Sequence, residues 1–235
     1  MTDLAPAIDV PASFLTLKYS FPHFFEALHG KGPVRIVAIG SSSTAGRGDV
    51  VPYPHRLEQY LRAHYQDRFP NLRIDVLNRG RGGEEAVEEL LRFETDVFAE
   101  DPALVIWQVG TNAVFHGYKI RDVADAITAG LARIRVRRMD VMLIDPQYVT
   151  AMLADDRADA SAEMVAAIAA IARAAEVSLF QRWALMRHWH VHNDVALAQM
   201  LDPSDPDKLH QNDWSTMEVA RALCTAMTRA VAAMA

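Results

Sequence analysis

The chain has 235 residues, of which 51% are hydrophobic, a length and composition that suit one large α/β domain better than two small ones. Its 24 basic and 30 acidic side chains give a formal net charge of −6 without a dominant run of either sign, which argues against a nucleic-acid-binding protein. The single cysteine, Cys224, excludes an intrachain disulfide.

The segment 1–32 forms an extension ahead of the regular pattern. Its large apolar side chains, among them Phe14, Phe21 and Phe24, predict a short helix packed on the body of the domain. The first residues lack the basic start and long apolar stretch of a secretory signal, and no apolar run approaches the roughly 18 residues of a membrane-spanning helix. A cytoplasmic location is therefore expected for the sequence as it stands, with a periplasmic or secreted location as the alternative if a signal has been removed.

From Val34 onward, short β-branched runs alternate with longer helical patterns, which is typical of βαβ units and a parallel sheet. The predicted strands are 34–39, 72–77, 103–109, 140–145 and 177–182. The predicted helices are 54–65, 84–93, 120–137, 160–174 and 214–233. The segment 183–206 is predicted to be a long connection and, because it exceeds most ordered loops, a candidate for function.

Ligands of an open α/β sheet bind beyond the carboxyl ends of its strands. The first predicted strand is followed by a run of small residues, 40–46, which lets the backbone turn sharply and bring a serine hydroxyl to the surface of the sheet, where it can act as a nucleophile. The second is followed by a glycine-rich loop, 78–83, whose glycines can point an unhindered N–H at a substrate oxygen. The third is followed by Asn112, whose side-chain amide is a further donor.

A histidine with nearby acidic residues precedes the last predicted helix. Asp207 and His210 are separated by three positions, which in a helical turn places both side chains on one side, where the carboxylate can accept a hydrogen bond from the imidazole. Asp202, Asp205 and Asp213 compete with Asp207 for this role, and the spacing favours Asp207.

These four segments, in this order, resemble the four blocks of the SGNH, or GDSL, hydrolase family. The resemblance implies that Ser42 is the nucleophile, that His210 and Asp207 are its base and acid, and that the N–H of Ser42 forms an oxyanion hole with Gly83 and Asn112. It also implies a three-layer α/β/α sandwich with a five-stranded parallel sheet in the order 2-1-3-4-5.

Two residues depart from the family pattern. The acidic residue usual before the nucleophile is Ser41 here, and the acidic residue that often follows the asparagine is Ala113. Neither belongs to the expected triad or oxyanion hole, so the departures leave the reaction class in place and the substrate open.

The resemblance implies an ester hydrolase that cleaves a short acyl group, such as an acetyl ester of a carbohydrate, through an acyl-enzyme and without a cofactor or metal. The alternatives are an acyltransferase, lipase or thioesterase of the same fold, and a non-catalytic ligand-binding module. The oligomeric state is left open by the sequence.

Structural roles compete with these assignments. Ser42 and Asn112 are also typical cap or turn residues, and His210 is also typical of an exposed loop. In an extended segment, His188, His190 and His192 would share one face and bind a metal together with Asp194, although a plain polar face of the connection is preferred.

Overall fold

Five parallel strands form the central sheet, in the order β2-β1-β3-β4-β5. The computed structural model describes residues 8–234. The strands are β1 Val34–Gly40, β2 Ile74–Gly80, β3 Leu104–Gln108, β4 Asp140–Ile144 and β5 Ser178–Phe180. Every residue of β3 is buried, as expected for a central parallel strand covered on both faces. The predicted fold class and strand order are confirmed.

Helices cover both faces of the sheet. They are α1 Pro22–Leu28, α2 Ser42–Ala45, α3 Tyr53–Tyr65, α4 Ala86–Leu91, α5 Phe93–Asp96, α6 Thr111–His116, α7 Ile120–Arg135, α8 Ala158–Ala174, α9 Arg182–His192, α10 Leu197–Met200 and α11 Asp213–Ala232. Helix α3 packs against α11 and β2, whereas α7 packs against α4 and α8. The five predicted helices are present, as α3, α4, α7, α8 and α11, and no end differs by more than two residues from its prediction.

The strands nearest the candidate site are longer than their apolar runs. Strand β2 continues through Asn78 to Gly80, and Gly40 and Gly80 are partners in the parallel register of β1 and β2. The loops that carry Ser42 and Gly83 therefore leave the sheet from adjacent points.

The described part of the N-terminal extension packs on the body through α1. Phe21, Phe24 and Leu28 are fully buried in the common core. The Phe24 N–H donates to Oδ2 of Asp140 at 2.8 Å, which ties α1 to the start of β4. A boundary between extension and domain after residue 32 stays a prediction, and residues 1–7 lie outside the described residues.

The segment 183–206 is mainly helical, so the prediction of a long connection is wrong. Leu185, Met186 and Trp189 form the buried face of α9, at a spacing that the intervening arginine and histidines obscure. The extended conformation assumed for the histidines is also wrong. In the helix, the rings of His188 and His192 lie 4.8 Å apart, whereas His190 points elsewhere and contacts the carbonyl of Val195.

Candidate active site

Ser42 is the first residue of α2 and follows the end of β1 by two positions. The turn is tight enough that a Cβ atom on Gly40 would lie 2.9 Å from Oε1 of Gln108, which explains why glycine ends the strand. The hydroxyl of Ser41 is buried and donates to Gln108 Oε1 at 3.0 Å, and that of Ser43 donates to Gln147. Of the three serines, Ser42 is the one that faces the histidine.

The structure brings Ser42 and His210 together. Oγ of Ser42 lies 3.0 Å from Nε2 of His210, although the two residues are 168 positions apart in the sequence. The histidine stands just before α11, whose first turn is capped by the side chain of Asn212. The backbone carbonyl of His210 also accepts the Asp202 N–H at 3.0 Å. The loop is therefore held both by this hydrogen bond and by the Asn212 cap of α11.

The aspartate beside His210 is Asp205, and the expectation that Asp207 contacts the imidazole is wrong for this structure. Oδ2 of Asp205 lies 2.9 Å from Nδ1 of His210, on the side of the ring away from Ser42. Asp205 is fully buried, whereas Asp207 is exposed and contacts Asp205 only through its backbone N–H at 3.4 Å. Lys208, at φ 53°, adopts a left-handed conformation that takes the loop out of the helical path assumed by the spacing argument.

Asp205 is held as a carboxylate. Burial alone would raise its pKa, but hydrogen bonds from the backbone N–H of His210, the Arg47 guanidinium, the imidazole and the Leu209 N–H hold the pKa well below its usual range. Arg47 forms an ion pair with Oδ1, so both carboxylate oxygens are engaged. The negative charge is therefore available to orient the imidazole and stabilise its protonated form.

The glycine loop lies directly against the turn that carries Ser42. A Cβ atom on Gly80 would collide with the backbone of Thr44 and Ala45, and one on Gly82 would lie 3.8 Å from Cβ of Ser42. Gly83 has φ 84°, a backbone conformation that favours glycine. Within residues 8–234, the N–H groups of Ser42 and Gly83 have no hydrogen-bond acceptor.

Asn112 joins the glycine loop to the end of β3. It is buried in α6, and one N–H of its amide donates to the Glu84 carbonyl at 2.7 Å. An amide carries two N–H bonds, and this contact uses one of them. The structure thus places Ser42, Gly83 and Asn112 along the carboxyl ends of neighbouring strands, as expected from the strand order.

Glu85 fixes the relative positions of these two donor loops, and the sequence reasoning missed it. Its carboxylate accepts the N–H groups of Gly110 at 2.8 Å and of Ala113 and Ala86 at 2.9 Å. Burial raises its pKa, although these three N–H groups favour the charged form. Arg47 and Gln147 were also missed. Gln147 follows β4 closely, so the rule that ligands bind at strand ends could have indicated it, whereas no spacing pattern points to Arg47.

Comparison with known proteins gives the family. The model of the non-GDSL lipase-like family matches residues 7–233, nearly the whole chain. The chain belongs to the non-GDSL lipase-like family. This family is an SGNH/GDSL-like hydrolase family, which confirms the resemblance seen in the four segments. The description non-GDSL agrees with Ser41, which stands where an acidic residue usually precedes the nucleophile.

Solved structures share the fold of this family member at low sequence identity. The acetylxylan esterase Axe2 from Geobacillus stearothermophilus matches with a TM-score of 0.70 and 19% identity, over 83% of this chain and 94% of that chain. LAE5, an alpha/beta hydrolase enzyme from the metagenome of Lake Arreo in Spain, matches with a TM-score of 0.64 and 19% identity, over 88% and 99% of the two chains. At such identities the likeness establishes the fold alone.

A curated relative matches over a shorter stretch. The uncharacterized lipoprotein YqeF of Bacillus subtilis is 36% identical over 84 residues, which is 35% of this chain and 33% of the relative. The match therefore covers about a third of each protein. Across residues 8–234, no helix is both long and apolar enough to cross a membrane.

Proposed function

We propose that the protein is a serine ester hydrolase in which Ser42 is the nucleophile, His210 is the general base and Asp205 orients the histidine. The observation that carries this proposal is the pair of contacts on opposite sides of one imidazole ring, Ser42 Oγ at 3.0 Å from Nε2 and Asp205 Oδ2 at 2.9 Å from Nδ1. Nucleophile, base and orienting carboxylate in line are what acyl transfer requires.

The contacts support one tautomer of His210 as the active form. When Nδ1 carries the proton and donates it to Asp205, Nε2 has a lone pair that accepts the Ser42 proton. The Arg47 guanidinium also lies 2.9 Å from Nδ1. The guanidinium and Nδ1–H are both donors, so both donate to the carboxylate of Asp205 and neither donates to the other.

His210 accounts for each proton transfer in the proposed reaction. Ser42 Oγ attacks the ester carbonyl as its proton moves to Nε2, and the carbonyl oxygen becomes an oxyanion. The tetrahedral intermediate then breaks its bond to the leaving alcohol, which takes the proton from Nε2 and leaves an acyl-enzyme. A water molecule attacks this ester in the same way, releases the acid and restores Ser42.

The oxyanion would be met by the backbone N–H groups of Ser42 and Gly83 and by the second amide N–H of Asn112. Such donors act in a preorganised site because they need not reorient during the reaction. Two observations support this assignment. The two backbone N–H groups lack an acceptor in the described chain, and the hydrogen bond to the Glu84 carbonyl holds the Asn112 side chain in place.

The substrate that we propose is a short-chain ester, an acetyl group on a carbohydrate. The cleft beside Ser42, walled by Val50, Pro52 and Thr216, is small, which supports a short acyl group over a long chain. Axe2, which shares the fold, acts on acetylated xylan according to its name. The lipoprotein name of YqeF supports an exported location over a cytoplasmic one. An exported location also suits a polysaccharide substrate, because such substrates are found outside the cell.

The test is hydrolysis of p-nitrophenyl esters of increasing acyl length by the wild type, Ser42→Ala and, as a matched control at an exposed serine, Ser13→Ala. We expect turnover that is highest for acetate, that falls with chain length, that is lost in Ser42→Ala and that is unchanged in Ser13→Ala. Turnover that survives in Ser42→Ala would remove the assignment. A preference for long chains would support the lipase alternative, and release of acetate from acetylated xylo-oligosaccharides would support the carbohydrate substrate.

A further inference from the structure

Gln147 touches three of the segments that build the site. It lies three positions after the end of β4 and is 1% exposed. Its Oε1 accepts the hydroxyl of Ser43 at 3.1 Å and that of Thr111 at 3.2 Å, and its Nε2 donates to the carbonyl of Leu209 at 3.1 Å. Ser43 adjoins Ser42, Thr111 adjoins Asn112, and Leu209 adjoins His210. One buried amide therefore contacts a neighbour of the nucleophile, a neighbour of the oxyanion donor and a neighbour of the base.

The direction of every hydrogen bond in this network is determined by its ends. The backbone N–H of Ser41 can only donate, so Oε1 of Gln108 accepts it and Nε2 of Gln108 donates to Thr111. The Thr111 hydroxyl then donates to Oε1 of Gln147, which leaves Nε2 of Gln147 to donate to the Leu209 carbonyl. Because the network begins at a backbone donor and ends at a backbone acceptor, the amide of Gln147 has only one orientation that satisfies it.

We propose that Gln147 is a positioning residue that holds the His210 loop at the distance from Ser42 that proton transfer needs. The inference rests on the proposed roles of Ser42 and His210. Without the amide, the buried carbonyl of Leu209 loses its partner, and the loop must move to find another. The loop has a further attachment through the Lys208 carbonyl, which accepts the Ala151 N–H at 3.1 Å, so a change at Gln147 shifts the loop without unfolding it.

A misplacement of about 1 Å in a catalytic group lowers the rate by about 100-fold, because the reacting atoms leave their near-attack geometry. Substrate binding does not depend on the Nε2–Oγ distance in the same way. The proposal therefore predicts an effect on kcat with little effect on KM, which a general loss of structure would not produce.

The experiment compares Gln147→Met and Gln147→Glu with Gln66→Glu, the same acidic change at an exposed glutamine. Met fills a similar volume but cannot donate a hydrogen bond to Leu209, so kcat is expected to fall by about 10-fold to 100-fold while KM stays within about threefold. Glu keeps an acceptor for Ser43 and Thr111 but donates to Leu209 only when it is protonated. The ratio of its kcat to that of the wild type is therefore expected to be near one in mild acid and to fall as pH rises.

Taking the ratio removes the pH dependence that the two enzymes share, so a pH dependence that remains reports the new carboxyl group at position 147, close to the loop of His210, Asp205 and the Arg47 side chain. The Gln66→Glu ratio is expected to stay at one throughout. A ratio for Gln147→Glu that stays at one from mild acid to mild alkali, or a kcat for Gln147→Met within about twofold of the wild type, would overturn the proposal, since Met cannot donate to Leu209 and Glu stops donating once it ionises.

A crystal structure of Gln147→Met separates failure of this inference from failure of the proposed function. We expect Ser42 Oγ and His210 Nε2 to move beyond 3.5 Å, outside normal hydrogen-bond reach. A retained contact would overturn the positioning role. A wild type that hydrolyses no ester would instead overturn the proposed function, whatever the distance in the variant.

Discussion

Oδ2 of Asp205 lies 2.9 Å from Nδ1 of His210, and the same oxygen accepts the backbone N–H of His210 at 2.8 Å. One carboxylate oxygen therefore fixes both the ring and the backbone of the histidine. The N–H of Leu209 donates to it as well, at 2.9 Å. The loop is wound around Asp205, which explains why an aspartate five positions before the histidine occupies the place that the three-residue spacing assigned to Asp207.

We expect Asp205→Asn to lower kcat by about 10³–10⁴-fold, because the amide cannot favour the Nδ1–H tautomer or stabilise the imidazolium. Asp207→Asn makes the same chemical change at an exposed position and is expected to leave kcat within about twofold. Steady-state kinetics on a p-nitrophenyl ester, with thermal unfolding as a check on folding, measures both variants.

A larger loss of kcat in Asp207→Asn than in Asp205→Asn would contradict this assignment. Catalytic mutants of Axe2 carry alanine in place of a serine, a histidine and an aspartate, and in that protein the aspartate precedes the histidine by three positions. A large loss in Asp207→Asn alone would mean that the loop rewinds in solution to bring Asp207 to the imidazole.

The fold could be predicted from the sequence because its signals are local. Buried parallel strands are short apolar runs, and the residues that follow them meet at one edge of the sheet. The strand order that places Ser42, Gly83 and Asn112 on neighbouring strands came from the resemblance to the SGNH family, and the observed sheet has that order. The choice between Asp205 and Asp207 could not be made in this way, because it depends on the left-handed conformation of Lys208, which its residue type does not indicate.

The buried polar contacts beneath the site were also beyond the sequence. Glu85, Gln108 and Gln147 act by joining segments that are distant in the chain, and a pattern within one segment does not report such partners. Helix α9 was missed for a different reason. Its apolar residues are not confined to one face, and histidines and arginines lie between them, so the helical period is weak.

Gly80→Ala tests how closely the glycine loop and the nucleophile turn must approach. The added methyl group would meet backbone atoms of Thr44 and Ala45, the Cα of Ala45 at 2.7 Å, and backbone cannot give way as a side chain can. We expect a loss of about 1–3 kcal/mol in the free energy of unfolding, measured by urea denaturation. The displaced turn is also expected to lower kcat on a p-nitrophenyl ester by about 100-fold.

Gly32→Ala is the matched control, because a Cβ atom there would meet nothing within 4 Å. Its free energy of unfolding is expected to stay within about 0.5 kcal/mol of the wild type. Equal stabilities for the two variants would show that the close approach at Gly80 relaxes at no cost.

Asp140 makes the attachment of α1 to the sheet dependent on pH. Burial raises its pKa to about 6, although the Phe24 N–H donates to Oδ2 at 2.8 Å and His23 also favours the charged form. A carboxyl whose pKa is higher in the folded than in the unfolded chain favours folding most when it is protonated. Its contribution is therefore fully present below about pH 4 and is lost as the pH rises through about 6.

Asp140→Asn removes this titration but keeps an oxygen that accepts the Phe24 N–H. We expect the free energy of unfolding of the variant, relative to the wild type, to increase between about pH 4 and pH 6 and then to level off. Urea denaturation at intervals from pH 4 to pH 8 measures the difference, with Asp67→Asn as the control at an exposed aspartate. A flat difference would mean that the pKa of Asp140 is the same in the folded and unfolded chains. A difference that decreases with pH would mean that the carboxylate is stabilised in the fold, so that its charge strengthens the contact between α1 and β4.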